Sequence, residues 1–179
     1  MAILYIVSDH SGAGKTALSA SLASIFSEDA LTVGVIKPVA RPEDTDLSAY
    51  ENLLGITHDL SALTPPAESV SLDLVKKACA VAQEGKDVLV VEGASDLSLQ
   101  DHTSLAVALD ATVVVVVGFA AGMDTGPLAE WSIQLKDRLL GFLINGVTRY
   151  QERDVMTRLL PDMKAQGLKS LGTIPEDRK

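Results

Sequence analysis

Short continuous apolar runs alternate along this chain with longer stretches in which apolar residues recur at helical spacing. Strands buried on both faces of a sheet read as unbroken apolar runs, and amphipathic stretches between them read as crossover helices packed over that sheet. The runs predict strands at about 2 to 7, 32 to 37, 87 to 91, 112 to 118, 139 to 144 and 169 to 174. Leu18, Leu22, Ile25 and Phe26 predict a helix after the first strand, and Leu72, Val75, Cys79 and Ala82 predict another that stops at Gly85. Thr125-Gly126-Pro127 marks a helix start, with Leu128, Trp131 and Leu135 on one face. Met156, Leu159, Leu160 and Met163 mark a last helix, which Pro161 is placed to kink. Only "LTPPAES" at 63 to 69 has a linker's composition, and there is no internal repeat or low-complexity tract. Strand alternating with helix predicts an α/β fold: a doubly wound, mainly parallel sheet of about six or seven strands with helices on both faces.

A chain of 179 residues with 47% hydrophobic and 22% charged residues suits one domain, residues 1–179, with one sizeable core. The 4% aromatic share leaves that core to Val, Leu, Ile and Ala. A formal net charge of −9 argues against nucleic acid and against an anionic membrane surface as partners. A small anion stays admissible, because a few local cations and N–H groups act within a screening length of about 8 Å. The single Cys79 excludes an internal disulfide framework, and no Cys/His pair has zinc spacing. "MAILYIVSD" lacks the basic region and cleavage site of a signal peptide, and the apolar run 111–123 is too short to span a bilayer. A cytoplasmic protein is the expectation.

"SDHSGAGKT", residues 8–16, lies between the first predicted strand and the first predicted helix. That is the context of a phosphate-binding loop, whose N–H groups and helix N-terminus face an anion. Ser11, Gly12, Ala13, Gly14, Lys15, Thr16 and Ala17 are the expected nucleotide contacts, with Lys15 as a mobile cation and the Thr16 hydroxyl on Mg²⁺. The alternative is an ordinary strand-to-helix turn. The usual spacing would put a first glycine where Asp9 stands. Lys37 ends a predicted strand, where open α/β sheets place ligands, although a surface lysine beside a turn reads the same way. Glu92 ends the apolar run "VLVVEG" and suits Mg²⁺, directly or through water, or else caps a helix or joins a salt bridge.

Counted from Ser8, the loop resembles that of the dethiobiotin synthetase family, Gly-Thr-Asp-Thr-x-Val-Gly-Lys-Thr. Ser8 stands for the first Gly, His10 for the Asp and Ser11 for the second Thr. "VGVIKPVARP" (33–42), "TDLSAYENLLG" (45–55), "DVLVVEGASDL" (87–97), "GFLINGV" (141–147) and "LGTIPED" (171–177) extend the resemblance over most of the chain. The chain is also similar to the dethiobiotin-synthetase-like N-terminal domain of some phosphate acetyltransferases, in which "KPVARP" and "IPEDR" precede a further domain. The resemblance implies a P-loop NTPase with ATP and Mg²⁺ as cofactors, a small anionic or carboxylate substrate, a homodimer with ligand near its interface, and a further domain beyond Lys179. It implies that Lys15 and Lys37 hold substrate and transferring phosphate and act catalytically, and that Asp46 gives a second metal oxygen. It further implies that Asn145 contacts the purine and that Pro175 and Glu176 close over the base. Asp46 read alone is equally a helix N-cap, and Asn145-Gly146 equally a turn. No covalent nucleophile is required, because in the resembled reaction a carbamate formed from the substrate attacks ATP.

Two positions depart from the pattern: Ser95-Asp96 replaces the family's Gly-Gly, and His10 replaces the loop Asp. His10 also falls where partitioning-type ATPases carry a lysine that reaches across a dimer, the alternative being a plain loop histidine. Trp131 and Cys79 are assigned to the core, and His58 and His102 to no role. The expected function is an Mg-ATP-binding regulatory module related to phosphate acetyltransferase. The alternatives are a dethiobiotin synthetase closing a ring on a diamine, and a dimeric, partner-binding switch ATPase.

Overall fold

A computed structural model describes residues 2–39, 50 and 71–176. Asp46, His58, the expected helix at 45–55 apart from Tyr50, and the stretch 63–69 lie outside the described residues. The elements run β1 (Ala2–Ser8), α1 (Lys15–Glu28), β2 (Val33–Ile36), α2 (Leu72–Ala82), β3 (Val88–Glu92), α3 (Leu99–Ala108), β4 (Thr112–Gly118) and α4 (Gly126–Leu135). They continue with β5 (Leu139–Val147), a short turn α5 (Glu152–Asp154), a π-helical turn Val155–Leu159, α6 (Leu160–Ala165) and β6 (Ser170–Pro175). Every predicted strand is present. They form one parallel sheet of six in the order β2-β3-β1-β4-β5-β6.

Alternate residues of the strands serve two cores. Tyr5, Val7, Leu89, Val91, Val113, Val115, Val117, Phe142 and Ile144 meet Val75 and Cys79 of α2, Leu105 and Ala106 of α3, Trp131 and Leu135 of α4, and Met163 of α6. Ile6, Val35, Val90, Val114 and Val116 meet Ala20 and Ala23 of α1 on the opposite face. Cys79 and Trp131 are therefore core residues, as their spacing predicts.

Two helical faces differ from the reading of the sequence. On α1 the stripe in full contact with the sheet is Lys15, Ser19, Ala20 and Ala23, whereas Ile25 is 51% exposed. Small side chains let the helix lie close to the sheet, so its bulkier Leu18, Leu22 and Phe26 are left to flank the contact. Near the C-terminus Pro161 has no N–H to donate, and its ring crowds the carbonyl four residues earlier. The hydrogen-bond ladder widens there into the π turn, which keeps Leu159 and Met163 buried and turns Met156 outward.

β1 sits between β3 and β4; the crossover leaving β1 runs to β2 on one side of it, and the crossover from β3 to β4 runs the opposite way. A crevice at the carboxyl ends of such strands is where open α/β sheets bind ligands. Among the described residues no helix is long and apolar enough to cross a membrane.

Candidate functional site

The loop after β1 carries Asp9 to Gly14, and α1 starts at Lys15. Gly14 occupies the N-cap position with φ 97°, a left-handed conformation that a side chain would strain. It offers no side chain to cap the helix, so the first-turn N–H groups are positioned for an anion. A Cβ on Gly14 would fall 2.2 Å from Nδ2 of Asn145. Asn145, reaching across from β5, donates that Nδ2 to the Ala13 carbonyl at 2.8 Å. It lies within β5, so Asn145-Gly146 is part of a strand and not a hairpin turn.

Lys15 is buried, and its Nζ donates to Ser8 Oγ at 2.9 Å and to Ser95 Oγ at 2.6 Å. Ser8 in turn donates to the His10 carbonyl at 2.7 Å. The residue that replaces the expected first glycine thus ties the front of the loop to the lysine at its back. His10 itself is at the rim, its Nδ1 2.8 Å from Asp9 Oδ1 and its ring against Gly118.

Glu92 is 1% exposed, and among the described residues Thr16, Tyr50 and Lys37 meet it. Thr16 Oγ1 donates to its Oε1 at 3.1 Å, the Tyr50 hydroxyl donates to its Oε2, and Lys37 Nζ lies 3.5 Å from Oε1. Lys37 is 5% exposed, which sets aside the surface-lysine reading. A carboxylate and two ammonium groups withdrawn from water at one sheet end are costly to hold, and attraction between them offsets that cost only when they are close and hydrogen-bonded.

Hard oxygen donors are what Mg²⁺ takes, commonly one or two protein oxygens with phosphates and water completing the shell. The adjacent Thr16 hydroxyl and Glu92 carboxylate fit that description. Among the described residues no group of three or more His, Cys, Asp or Glu side chains is placed to enclose a metal ion alone.

On the other face of β3, His102 Nδ1 and the Tyr5 hydroxyl are hydrogen-bonded at 2.7 Å. The imidazole also lies against the Trp131 ring, with centroids 5.6 Å apart. Burial pushes the His102 pKa down to about 4, with the nearby Lys15 charge adding to the effect. Burial likewise pushes the Tyr5 phenol well above its ordinary range. A Cβ on Gly93 would come 2.9 Å from His102 and 3.0 Å from the Tyr5 hydroxyl, so any side chain after Glu92 would displace these two buried rings.

Lys15, Thr16, Lys37, Glu92 and Asn145 therefore converge at one sheet end, with Ala13 buried beneath and Ser11, Gly12 and Ala17 on the open side. Pro175 and Glu176 are exposed at the end of the edge strand β6, where Glu176 N–H donates to the Val147 carbonyl at 3.0 Å. Sequence reasoning missed Tyr50, Ser8 and Ser95 as partners of the charged groups, and His102 as a buried partner of Tyr5. The signal available for Ser8 and Ser95 was their replacement of glycines on either side of one lysine. His102 stands at helical spacing from the buried Leu105 and Ala106, which marks an inward-facing position.

Residues 3–179 match the family model AAA_26, described as an AAA domain. The chain is 32% identical over 157 residues to an ATP-dependent dethiobiotin synthetase, BioD, of Rhodococcus jostii (strain RHA1), covering 75% of this chain and 67% of that protein. It is similar in structure to the MinC:MinD cell division protein complex of Aquifex aeolicus, with TM-score 0.69 and 18% identity over 100% of this chain and 83% of that one. It is also similar to the signal recognition particle 54 kDa protein of Aeropyrum pernix K1, solved in complex with GDP. That match has TM-score 0.68 and 15% identity over 98% of this chain and 42% of that one. At these identities the two structures share the fold with this chain.

Proposed function

The chain belongs to the AAA_26 family and is a dethiobiotin synthetase-like P-loop NTPase domain of ATP-binding type, and from that premise we propose that it is a Mg-ATP-binding regulatory module. The observation that carries the reading is the convergence of Lys15, Thr16, Lys37 and Glu92 at the N-terminus of α1. In this reading the loop N–H groups from Ser11 to Ala17 and the Lys15 ammonium hold the phosphates, and Lys37 meets charge on the outermost phosphoryl group. Mg²⁺, when bound, neutralises phosphate charge beside Thr16 and Glu92, with Asp46 as a further oxygen. The Ala13 carbonyl can only accept, so the Asn145 amide turns Nδ2 toward it, and in this reading its Oδ1 is the atom offered to the base as an acceptor. Such an acceptor suits the 6-amino group of adenine and opposes the 6-oxo group of guanine, which supports ATP over GTP. Pro175 and Glu176 are assigned to the base side of the same site, and the acting unit is a cytoplasmic homodimer.

A regulatory role is favoured over ring closure because Ser95-Asp96 and His10 alter the substrate side of the site while the phosphate side is intact. The likeness to phosphate acetyltransferase N-terminal domains supports the same role. The synthetase reading is kept by the 32% identical curated relative. Calorimetry with Mg-ATP and Mg-GTP, with and without 7,8-diaminononanoate and bicarbonate, separates the two. The expected result is ATP binding by the wild type, weaker GTP binding, loss of both in Lys15→Ala, and no diamine-dependent turnover. Absence of ATP binding overturns the nucleotide reading, and turnover that requires the diamine replaces regulation with synthesis.

A further inference from the structure

Among the described residues three aliphatic hydroxyl groups, besides the Tyr50 phenol, stand around the charged cluster, and they are not equivalent. Ser8 is buried and spends its proton on the His10 carbonyl. Thr16 spends its proton on Glu92. Ser95 accepts from Lys15 at 2.6 Å, belongs to the turn between β3 and α3, and is exposed at the mouth of the crevice. Among these three, Ser95 alone combines an oxygen fixed on the phosphate-holding lysine with a position open to ligand.

We propose that Ser95 is a phosphoryl acceptor, so that the domain phosphorylates itself on this hydroxyl. The inference rests on the nucleotide reading above and departs from the expectation that the protein supplies placement only. Groups that share one ammonium are neighbours, so a terminal phosphoryl group held by Lys15 lies beside Ser95 Oγ. The Lys15 N–H that points at Ser95 also stabilises negative charge developing on that oxygen, which is how an adjacent cation activates a weak nucleophile. Ser95 Oγ forms the new bond to the γ-phosphorus of ATP, and the bond from that phosphorus to the β,γ-bridging oxygen breaks. The bridging oxygen leaves with the electron pair as part of ADP. The serine proton passes to a phosphoryl oxygen and on to solvent. Transfer of this kind depends mainly on positioning and electrostatics, so no separate general base is required. The product is a phosphoserine whose charge faces Lys15 and the N-terminus of α1, an arrangement that favours retention of the group.

The test is intact-mass and peptide mass spectrometry of the full chain after incubation with Mg-ATP, beside calorimetry on the same wild-type sample. Wild-type protein is expected to gain one phosphoryl group on Ser95, with a rate constant independent of protein concentration. Ser95→Ala is expected to gain none while keeping a cooperative thermal transition, Ser95→Thr to regain the modification on its own hydroxyl, and Lys15→Ala to lose it. A wild-type sample that binds ATP by calorimetry but acquires no phosphoryl group on Ser95 overturns the proposal and leaves the nucleotide reading standing. Label that persists in Ser95→Ala also overturns it. A sample that binds no ATP overturns both.

Discussion

Two buried polar clusters flank the end of β3, on opposite faces of the sheet, and they are built in different ways. On the α1 face Lys15, Lys37 and Glu92 keep ionic groups out of water and join them to Ser8, Ser95, Thr16 and Tyr50. On the other face Tyr5, His102 and Trp131 form a neutral set, since burial holds the imidazole uncharged at ordinary pH. Gly93 lies between them, and its missing side chain lets the neutral set pack against the backbone that presents Glu92 and Ser95. A neutral, hydrogen-bonded aromatic set is stable packing and asks nothing of a ligand. A charged set gathered at a strand end is poorly explained by packing, because apolar residues of similar volume would hold that space at lower cost. The contrast assigns ligand chemistry to one face and support to the other.

The comparison breaks most severely at Glu92. Glu92→Gln removes the carboxylate 3.5 Å from a buried ammonium, and urea denaturation is expected to show a loss of about 4 kcal/mol. Failure to lose at least about 1 kcal/mol would mean that the ionic cluster contributes little to the fold.

The neutral cluster should respond to acid instead. With a folded-state pKa near 4 against an ordinary 6.5, His102 takes up its proton first in the unfolded chain as pH falls. Its contribution is therefore fully present above about 6.5, declines as pH drops from there to about 4, and is constant below. The decline amounts to about 3 kcal/mol, and His102→Asn is expected to flatten it in denaturation curves across that window.

Smaller effects sharpen the contrast. Tyr50→Phe removes one donor from the Glu92 carboxylate and is expected to cost about 2 kcal/mol in stability. Titration with Mg²⁺ in the presence of ATP is expected to show a shifted midpoint in the same variant, because the oxygen that Tyr50 held is reoriented. Asn145→Ala frees the Ala13 carbonyl and should cost about 1 kcal/mol, with the larger change appearing as reduced preference for ATP over GTP in competition binding.

The strands and the loop were legible in the sequence because they depend on local pattern: unbroken apolar runs, and glycines beside Lys15 and Thr16. Lys37 and Glu92 were legible as strand-end residues, but their mutual approach was not, since β2 and β3 become neighbours only through the sheet order. Tyr50 lay inside a quoted helical stretch with nothing local to separate it from an ordinary core aromatic. Ile25 was misplaced because helical periodicity ranks residues by hydrophobicity, whereas the close approach of α1 selected the smaller Ala20 and Ala23. His102 was invisible as a partner because Tyr5 and Trp131 come from distant parts of the chain and meet it only in the folded core.

The position of β1 in the sheet also has a consequence in time. β1 is synthesised before either neighbour, yet Ala2 pairs with Val88 and Leu4 with Thr112. Such non-local parallel pairing is slow to form, and an apolar strand awaiting its partners is exposed to association with other chains. Until β3 and β4 have emerged, "AILYIVS" has no sheet to enter, so the interval of greatest vulnerability to aggregation precedes the assembly of the phosphate loop itself.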